Sequence, residues 1–163
     1  MSTGEPATPM TGDDEVITWW GLVIEGYHAT QNRMTAEVAN RFGLSAGSLD
    51  ILLRLLRSPG YRQPMTRLAR EAALTSGGFT KVADRLTAAG LIRREPCETD
   101  RRVIYVVLTE YGLGLAEQAR YSTAQILRSS VIEPLGEQAA GALAAAMRTL
   151  REVNAPGYPS NEG

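Results

Sequence analysis

The sequence predicts a mainly α-helical protein with one small β-hairpin. Long stretches repeat apolar residues at helical spacing, glycines and prolines separate those stretches, and the segment 103–108 is β-branched and aromatic. Helical spacing gathers apolar side chains on one face, whereas a β-branched run favours a strand. About six helices and two short strands account for residues 13–153 in this interpretation.

The first predicted helix runs from about Asp13 to Phe42 and ends at Gly43. Acidic residues at its start suit the positive end of the helix dipole, and its apolar residues recur at helical spacing. At 1.5 Å per residue such a helix is roughly 45 Å long, more than a small domain needs for its own core. We therefore expect part of it to pack on another subunit.

Three shorter helices follow, each with its own start or stop signal. Ser45 caps the second, which ends at Ser58-Pro59-Gly60. Pro64 lies in the first turn of the third, and the fourth begins near 75–76 and stops at Gly90. Serine is a favoured N-cap, proline suits a first helical turn, and glycine after a helix is the usual left-handed cap.

Two strands and two further helices complete the prediction. Residues 91–94 and 103–108 form the strands, and the polar segment 95–102 between them is long for a tight hairpin, as in a protruding wing. Thr109 caps a fifth helix that runs to about Ile132, and Pro134 opens a sixth that ends near Val153. The Ala-rich faces of these last two helices allow close approach.

Charge is unevenly distributed along the chain. Net charge is only −1, yet the segment from Arg57 to Arg102 has ten basic and five acidic residues. A basic middle in an otherwise acidic chain predicts a local phosphate-facing surface. A solvated, unevenly charged domain is the alternative explanation of the charge alone.

Composition indicates the cellular compartment of the protein and the kinds of chemical site it is expected to lack. No apolar run approaches the roughly 18 residues of a membrane span, and the N-terminus has no basic apolar signal sequence, so we expect a cytoplasmic protein. The single cysteine, Cys97, excludes an internal disulfide. With one histidine and no Ser-His-Asp, Cys-His or phosphate-cradling glycine loop, we expect no enzyme activity, no cofactor and no metal site.

The third helix, a short turn and the fourth helix predict a helix-turn-helix, in which the second helix enters the major groove of DNA. Hydroxyls, glycines and cations on that helix can contact phosphates or base edges. The glycines could instead mark a flexible helix start, and Arg85 could instead pair with Asp84 or an acid of the wing. The candidate DNA-binding residues of this helix are Thr75, Ser76, Gly77, Gly78, Thr80, Lys81 and Arg85.

The wing supplies three more candidate DNA-binding residues, Asp100, Arg101 and Arg102. One arginine is expected to enter the minor groove, where narrow A·T stretches concentrate negative potential. The other crosses back to Asp100 or contacts phosphate. A solvated surface is the usual interpretation of a single exposed arginine, but a hairpin beside a helix-turn-helix favours the functional one.

The order of these motifs resembles the MarR family of winged helix-turn-helix regulators. The family's Asp-x-Arg wing pattern is matched by Asp100 and Arg102. The resemblance covers the order of elements over residues 13–153 and is motif-specific from 68 to 112. The motifs are Asp84-Arg85-Leu86, Gly90-Leu91-Ile92-Arg93-Arg94, Asp100-Arg101-Arg102 and Leu108-Thr109-x-x-Gly112.

The resemblance implies a domain organisation and a function. Residues 45–108 would be the winged helix-turn-helix, 13–44 and 109–153 a helical dimerisation region, and 1–12 and 154–163 flexible tails. It implies a homodimeric transcription regulator, more often a repressor than an activator, on double-stranded DNA with a pseudo-palindromic operator. It also implies a small aromatic or phenolic effector bound between the dimerisation and DNA-binding regions.

Candidates for the effector pocket are Trp20, Tyr27 and His28, although a helix core, a dimer interface or plain surface explains them as well. Redox-sensing members of the family use a cysteine near the first helices, and residues 1–96 contain none. Cys97 is expected to be inert because Glu95 and Glu98 should disfavour its thiolate, and the alternative is that its oxidation perturbs DNA binding. The alternative function is a winged-helix protein-interaction module without DNA binding.

Overall fold

The computed structural model describes residues 12–72 and 76–155, with the side chain of Ser76 excepted. Residues 1–11 and 156–163 of the two predicted tails therefore lie outside the described part. The elements are α1 (Asp13–Phe42), α2 (Ala46–Leu56), a 3-10 turn (Pro59–Tyr61), β1 (Arg62–Pro64), α3 (Met65–Glu71), α4 (Ser76–Ala88), β2 (Ile92–Pro96), β3 (Ile104–Leu108), α5 (Glu110–Leu127), a π-helical turn (Arg128–Ile132), α6 (Glu133–Leu135) and α7 (Glu137–Asn154).

The predicted fold class is confirmed: helices dominate, and the strands form one small antiparallel sheet. The long first helix is confirmed as a single helix of 30 residues. The chain separates into two compact units, Met1–Arg33 and Met34–Gly163. The first unit contains the N-terminal part of α1, and the second contains the rest of α1 and all the other elements.

The sheet has a third strand that the sequence analysis missed. The strand order is β1-β3-β2, and β1 pairs antiparallel with β3, with Gln63 opposite Val106 and Pro64 opposite Tyr105. Pro64 was predicted in the first turn of a helix, but it ends β1 and occupies the N-cap position of α3. A proline is tolerated there because β1 is an edge strand and its end needs no further ladder donor.

The first strand of the wing hairpin ends two residues later than predicted, and the second begins one residue later. Strand β2 continues to Pro96, which lies opposite Ile104 of β3. The loop is closed by two backbone hydrogen bonds, from Cys97 N to Val103 O at 2.8 Å and from Val103 N to Asp100 O at 2.9 Å. These bonds make the tip a compact turn.

The last two helices differ from the prediction of a single break before Pro134. Helix α5 continues through the π-helical turn, where Ser129 and Ser130 donate their hydroxyls to the carbonyl of Ile126 at 3.0 and 2.7 Å. Such side-chain bonds compete with the regular helical ladder. The break comes at Gly136, whose φ of 77° no ordinary helix residue adopts, so α7 begins at Glu137.

One hydrophobic core fills the second unit, between α2, α4, α5 and the sheet. Its members are almost inaccessible to solvent, and the predicted buried faces of α2 and α4 both contribute to it. The largest fully buried side chains are Val38, Ile51, Leu52, Leu55, Leu68, Phe79, Ile92 and Val106.

The start of α5 is fixed against the turn that ends α4. Thr109 caps α5 as predicted, accepting from Gly112 N at 2.9 Å, and its hydroxyl donates to the carbonyl of Gly90 at 2.6 Å. Its backbone N–H donates to the carbonyl of Leu91 at 3.1 Å. A Cβ atom on Gly112 would overlap that same carbonyl, so only glycine fits. The Leu-Thr-x-x-Gly motif is therefore a packing constraint.

A buried group of charges joins α2 to α3. Glu71 has a side chain only 6% exposed and pairs with Arg67 at 2.6 Å and with Arg54 at 4.0 Å. Arg54 is 8% exposed and also pairs with Asp50 at 2.8 Å. A carboxylate and a guanidinium buried together are tolerated because each satisfies the other.

Replacing Gly112 with alanine should destabilise the protein by about 2–3 kcal/mol, because the new methyl group forces α5 away from Leu91. Gly114→Ala is the matched control. It is a helical glycine of the same element with open space around it, so its replacement should gain up to about 1 kcal/mol. Equilibrium denaturation with urea measures both. Equal stability of the two variants would contradict the close approach.

Replacing Glu71 with alanine should lower the free energy of unfolding by about 3 kcal/mol, because Arg54 keeps its charge in a buried site and loses a partner. Asp50→Ala serves as the control, since the Asp50 side chain is 35% exposed and its loss should cost less. Denaturant titration of both variants measures which substitution lowers the free energy of unfolding more. A smaller loss for Glu71→Ala than for Asp50→Ala would refute the network.

Candidate nucleic-acid interface

Helices α3 and α4 are the two helices of the predicted helix-turn-helix. Helix α3 ends at Glu71 and α4 begins at Ser76. Thr75 lies in the segment 73–75 between them, outside the described residues, so the structure does not place this candidate. Ser76 is helical, and its side chain is not described.

The outer face of α4 presents most of the other predicted contacts. Gly77, Thr80, Lys81 and Arg85 are exposed, and Gly78 is half-buried. The opposite face is buried as predicted, with Phe79, Ala83 and Leu86 in the core. Because the buried face anchors the helix, its polar face is held rigidly toward solvent.

Asp84 does not pair with Arg85, which was one alternative left open by the sequence. Its carboxylate accepts from Arg94 of β2 at 2.7 Å, so an ion pair joins α4 to the wing hairpin. Within the described ranges neither Lys81 nor Arg85 takes part in an ion pair. These two cations are four residues apart and share one helix face.

Arg102 is held at the wing tip by Asp100. The carboxylate accepts from Nε of Arg102 at 3.1 Å, from its Nη2 at 3.2 Å and from its backbone N at 3.0 Å. The Arg102 side chain is nevertheless 91% exposed. The Arg102 side-chain bonds, followed by its backbone N–H, lower the pKa of Asp100, so this carboxylate stays charged over a wider pH range.

The exposed pair at the wing tip contributes little to stability, because water screens both charges. Its consequence is geometric: two hydrogen bonds from one guanidinium fix its plane and direction. Arg101 is also exposed and, in the part of the chain that the structure describes, forms no ion pair. The wing thus carries one oriented arginine and one without such a tether.

The thiol of Cys97 lies in a hydrogen-bonded environment that the sequence analysis did not foresee. Its sulfur lies 3.2 Å from the hydroxyl of Thr99. That hydrogen bond, with further bonds from the backbone of Asp100 and Thr99, lowers the pKa of the thiol despite the opposing charge of Asp100. The opposing charge thus comes from Asp100 and not from Glu95 or Glu98, and the hydrogen bonds to sulfur outweigh it.

The effector-pocket candidates belong to the first unit and lie on the surface of α1. Trp20 is 54% and Tyr27 61% exposed, and the ring of Tyr27 lies 5.6 Å from that of His28. No group of three or more potential metal ligands occurs among the described residues. None of the helices in the described ranges is long and apolar enough to cross a membrane.

One feature of this region had no signal in the sequence. The Asp84–Arg94 pair joins residues ten positions apart on a helix and a strand, and nothing in the pattern links them. The hydrogen bonds from Arg102 to Asp100, by contrast, agree with the expectation that one wing arginine crosses back to Asp100.

A model of the MarR family matches residues 37–103, from the end of α1 through the wing loop. The regulator MhqR of Bacillus subtilis is 33% identical over 94 residues, which are 58% of this chain and 63% of MhqR. The chain thus spans less than two thirds of the length of this relative.

Two solved structures from Streptomyces coelicolor have the same fold. AbsC, a MarR family regulator, is 27% identical with a TM-score of 0.78, over 90% of this chain and 98% of AbsC. Sco3205, a MarR family regulator in complex with DNA, is 24% identical with a TM-score of 0.80, over 94% and 95% of the two chains. Residues 37–103 are thus similar in sequence to the MarR family, and the chain shares the fold of these regulators.

Proposed function

We propose that the protein is a homodimeric, sequence-specific DNA-binding transcriptional regulator. The observation that carries the proposal is the arrangement of α4 and the wing: a helix with exposed Lys81 and Arg85 stands beside a hairpin whose tip orients Arg102. Related proteins support it, since MhqR is a transcriptional regulator and Sco3205 has been crystallised with DNA.

Helix α4 reads the major groove in this proposal. Its first turn contains Gly77 and Gly78, which let the backbone approach a phosphate, and the positive end of the helix dipole favours an anion. Lys81 contacts phosphate as a point charge, whereas Arg85 can contact phosphate or guanine. Thr80 adds a hydroxyl on the same exposed side.

The wing reaches the minor groove or the adjoining backbone. Asp100 fixes the guanidinium of Arg102, which reduces the rotamer entropy that this side chain loses when it binds. Arg101 supplies a second positive charge at the tip. A narrow minor groove over an A·T stretch would attract the oriented arginine most strongly.

Dimerisation is supported by apolar surface that a single chain leaves uncovered. In the first unit Ile17, Trp20 and Leu22 are more than half exposed, and in α7 Val153 is 72% exposed. Large exposed apolar surfaces mark interaction sites. A twofold dimer would present two α4 helices to half-sites about 34 Å apart on a pseudo-palindromic operator.

Regulation by a small aromatic or phenolic effector, most simply as a repressor released by its ligand, extends the same proposal. The exposed rings of Trp20, Tyr27 and His28 on α1 are the candidate contacts. Titrating the purified protein with small aromatic acids while following tryptophan fluorescence and DNA binding tests this part.

Replacing Arg102 with alanine should weaken binding to a selected duplex at least tenfold and reduce the salt slope by about one for each phosphate that the variant no longer neutralises. Asp100→Asn should weaken specific binding as well, although it removes a negative charge, because Arg102 is no longer oriented. Gel-shift titrations over a range of salt concentrations measure both.

Arg120→Ala, at an exposed position of α5, removes the same charge as a control and should change affinity little. If neither Arg102→Ala nor Arg101→Ala weakens binding, the role of the wing is refuted. If the unmodified protein binds no duplex even at low salt, the fold serves protein interaction instead of DNA binding.

Replacing Lys81 with alanine should weaken specific and non-specific DNA binding by similar factors, because a phosphate contact carries no sequence information. Selection of preferred sequences from a randomised duplex library, with wild type and variant in parallel, provides the measurement. A changed consensus would instead assign Lys81 to base recognition.

A further inference from the structure

The outer half of the wing hairpin is not anchored in the hydrophobic core. Ile92 at the start of β2 and Val106 in β3 are buried, with 2% and 0% of their surfaces exposed. Residues 93–105 between them, all of which the structure describes, include none that is buried. Apolar packing therefore holds the base of the hairpin much more firmly than its tip.

The ion pair between Asp84 and Arg94 lies at the point where this packing ends. Arg94 is opposite Val106 in the ladder, so its side chain is on the face of the hairpin that packs toward α4. Its Nη2 donates to a carboxylate oxygen of Asp84 at 2.7 Å. The side chains of Arg94 and Asp84 are 34% and 58% exposed. Because water screens such a pair, its contribution to stability is small.

Asp84 is an unexpected residue on a surface that would face DNA. Helix α4 contains one acidic residue, and it is adjacent to Arg85 and one helical turn from Lys81, the two cations proposed to contact DNA. A carboxylate at this position repels phosphates. Asp84 can therefore support DNA binding only through the contact that it makes within the protein.

A small rotation of the hairpin about this ion pair moves the wing tip by a large distance. Arg102 is four residues from Val106, the ladder partner of Arg94, or roughly 13 Å along an extended chain. Over that length a rotation of about 10° displaces Arg102 by about 2 Å, which is more than a hydrogen bond tolerates. The angle between the hairpin and α4 therefore decides whether both can contact one duplex together.

We propose that Asp84 and Arg94 are positioning residues for DNA recognition, which set the angle between α4 and the wing without contacting DNA themselves. The inference rests on the proposed DNA-binding function and deepens it. The ion pair determines the spacing between the base pairs that α4 reads and the flanking site that the wing reads. Specificity thus depends in part on an acid whose own charge opposes binding.

Asp84→Ala separates positioning from charge, because the two effects have opposite signs. The lost negative charge alone should tighten binding to any duplex. If the ion pair positions the wing, affinity for a duplex enriched by the wild-type protein from a randomised library should instead fall about tenfold, the effect of one lost hydrogen bond to a charged group. Affinity for an unrelated duplex should stay equal or rise. Gel-shift titrations with the two duplexes measure both.

Glu95→Ala is the matched control. Glu95 belongs to the same strand as Arg94, and its carboxylate accepts from Arg93 at 2.6 Å in an ion pair that stays within β2. This variant also removes one negative charge and one exposed ion pair, but it leaves α4 joined to the hairpin. Its affinity for the enriched duplex should equal or exceed that of wild type.

Two further measurements distinguish positioning from a general structural role. The double variant Asp84→Arg with Arg94→Asp restores the ion pair with reversed polarity, keeps the net charge of wild type and should regain most of the lost affinity. In a selection from the randomised library, Asp84→Ala should lose the sequence preference at the flanking positions and keep the preference at the positions that α4 reads. The melting temperature of each variant should stay within about 3 °C of wild type.

A folded Asp84→Ala that binds the enriched duplex as tightly as wild type, or more tightly, overturns the positioning role and leaves the DNA-binding function standing. Failure of the folded double variant to regain affinity overturns it as well. If Asp84→Ala does not fold, Arg94→Met replaces it with Arg93→Met as the control, and equal losses of affinity in these two variants overturn the role. A wild-type protein that enriches no duplex overturns both proposals.

Discussion

The contact that governs this structure is the one between Gly112 and the carbonyl of Leu91. The chain leaves α4 through Gly90, crosses the wing and returns to begin α5 at the same point, where Thr109 bonds both Gly90 and Leu91. A side chain on Gly112 would separate the two ends. Helix α4, which would read DNA, and helix α5, which leads to the C-terminal helices, meet at this contact. A displacement of α5 must therefore move the end of α4.

Two further polar links hold the remaining elements around that joint. Glu71 and Arg54 fasten α3 to α2 in a buried site, and Asp84 and Arg94 fasten α4 to β2 near the surface. The Glu71–Arg54 pair matters for stability, because removal of either charge leaves the other without that partner in the interior. The second is exposed to solvent, so its effect is on orientation more than on stability. The helix-turn-helix is thus joined to α2 by a buried ion pair and to the wing by a solvent-exposed one.

Elements with strong local signals could be predicted from the sequence. The caps Ser45 and Thr109, the stop at Gly90 and the buried face of α4 follow from side-chain chemistry and helical period, and all are present. Strand β1 could not be predicted, because three residues with a proline acquire strand geometry only by pairing with β3. The Glu71–Arg54 link likewise exists only once α2 and α3 are packed. The role of Trp20, Tyr27 and His28 in an effector pocket stays a prediction, because these side chains lie exposed on α1.

The charge distribution now has a structural explanation. The arginines of the basic segment from Arg57 to Arg102 lie in different environments. Arg67, Arg93 and Arg94 are paired with carboxylates of their own domain, so their charge is used internally. Arg102 is paired as well, but with 91% of its side chain exposed, so its partner directs the guanidinium without covering it. A count of charges alone overstates the surface available to a phosphate. In the described part of α4 and the wing, the cations that remain for DNA are the two on the outer face of α4 and the two arginines at the wing tip.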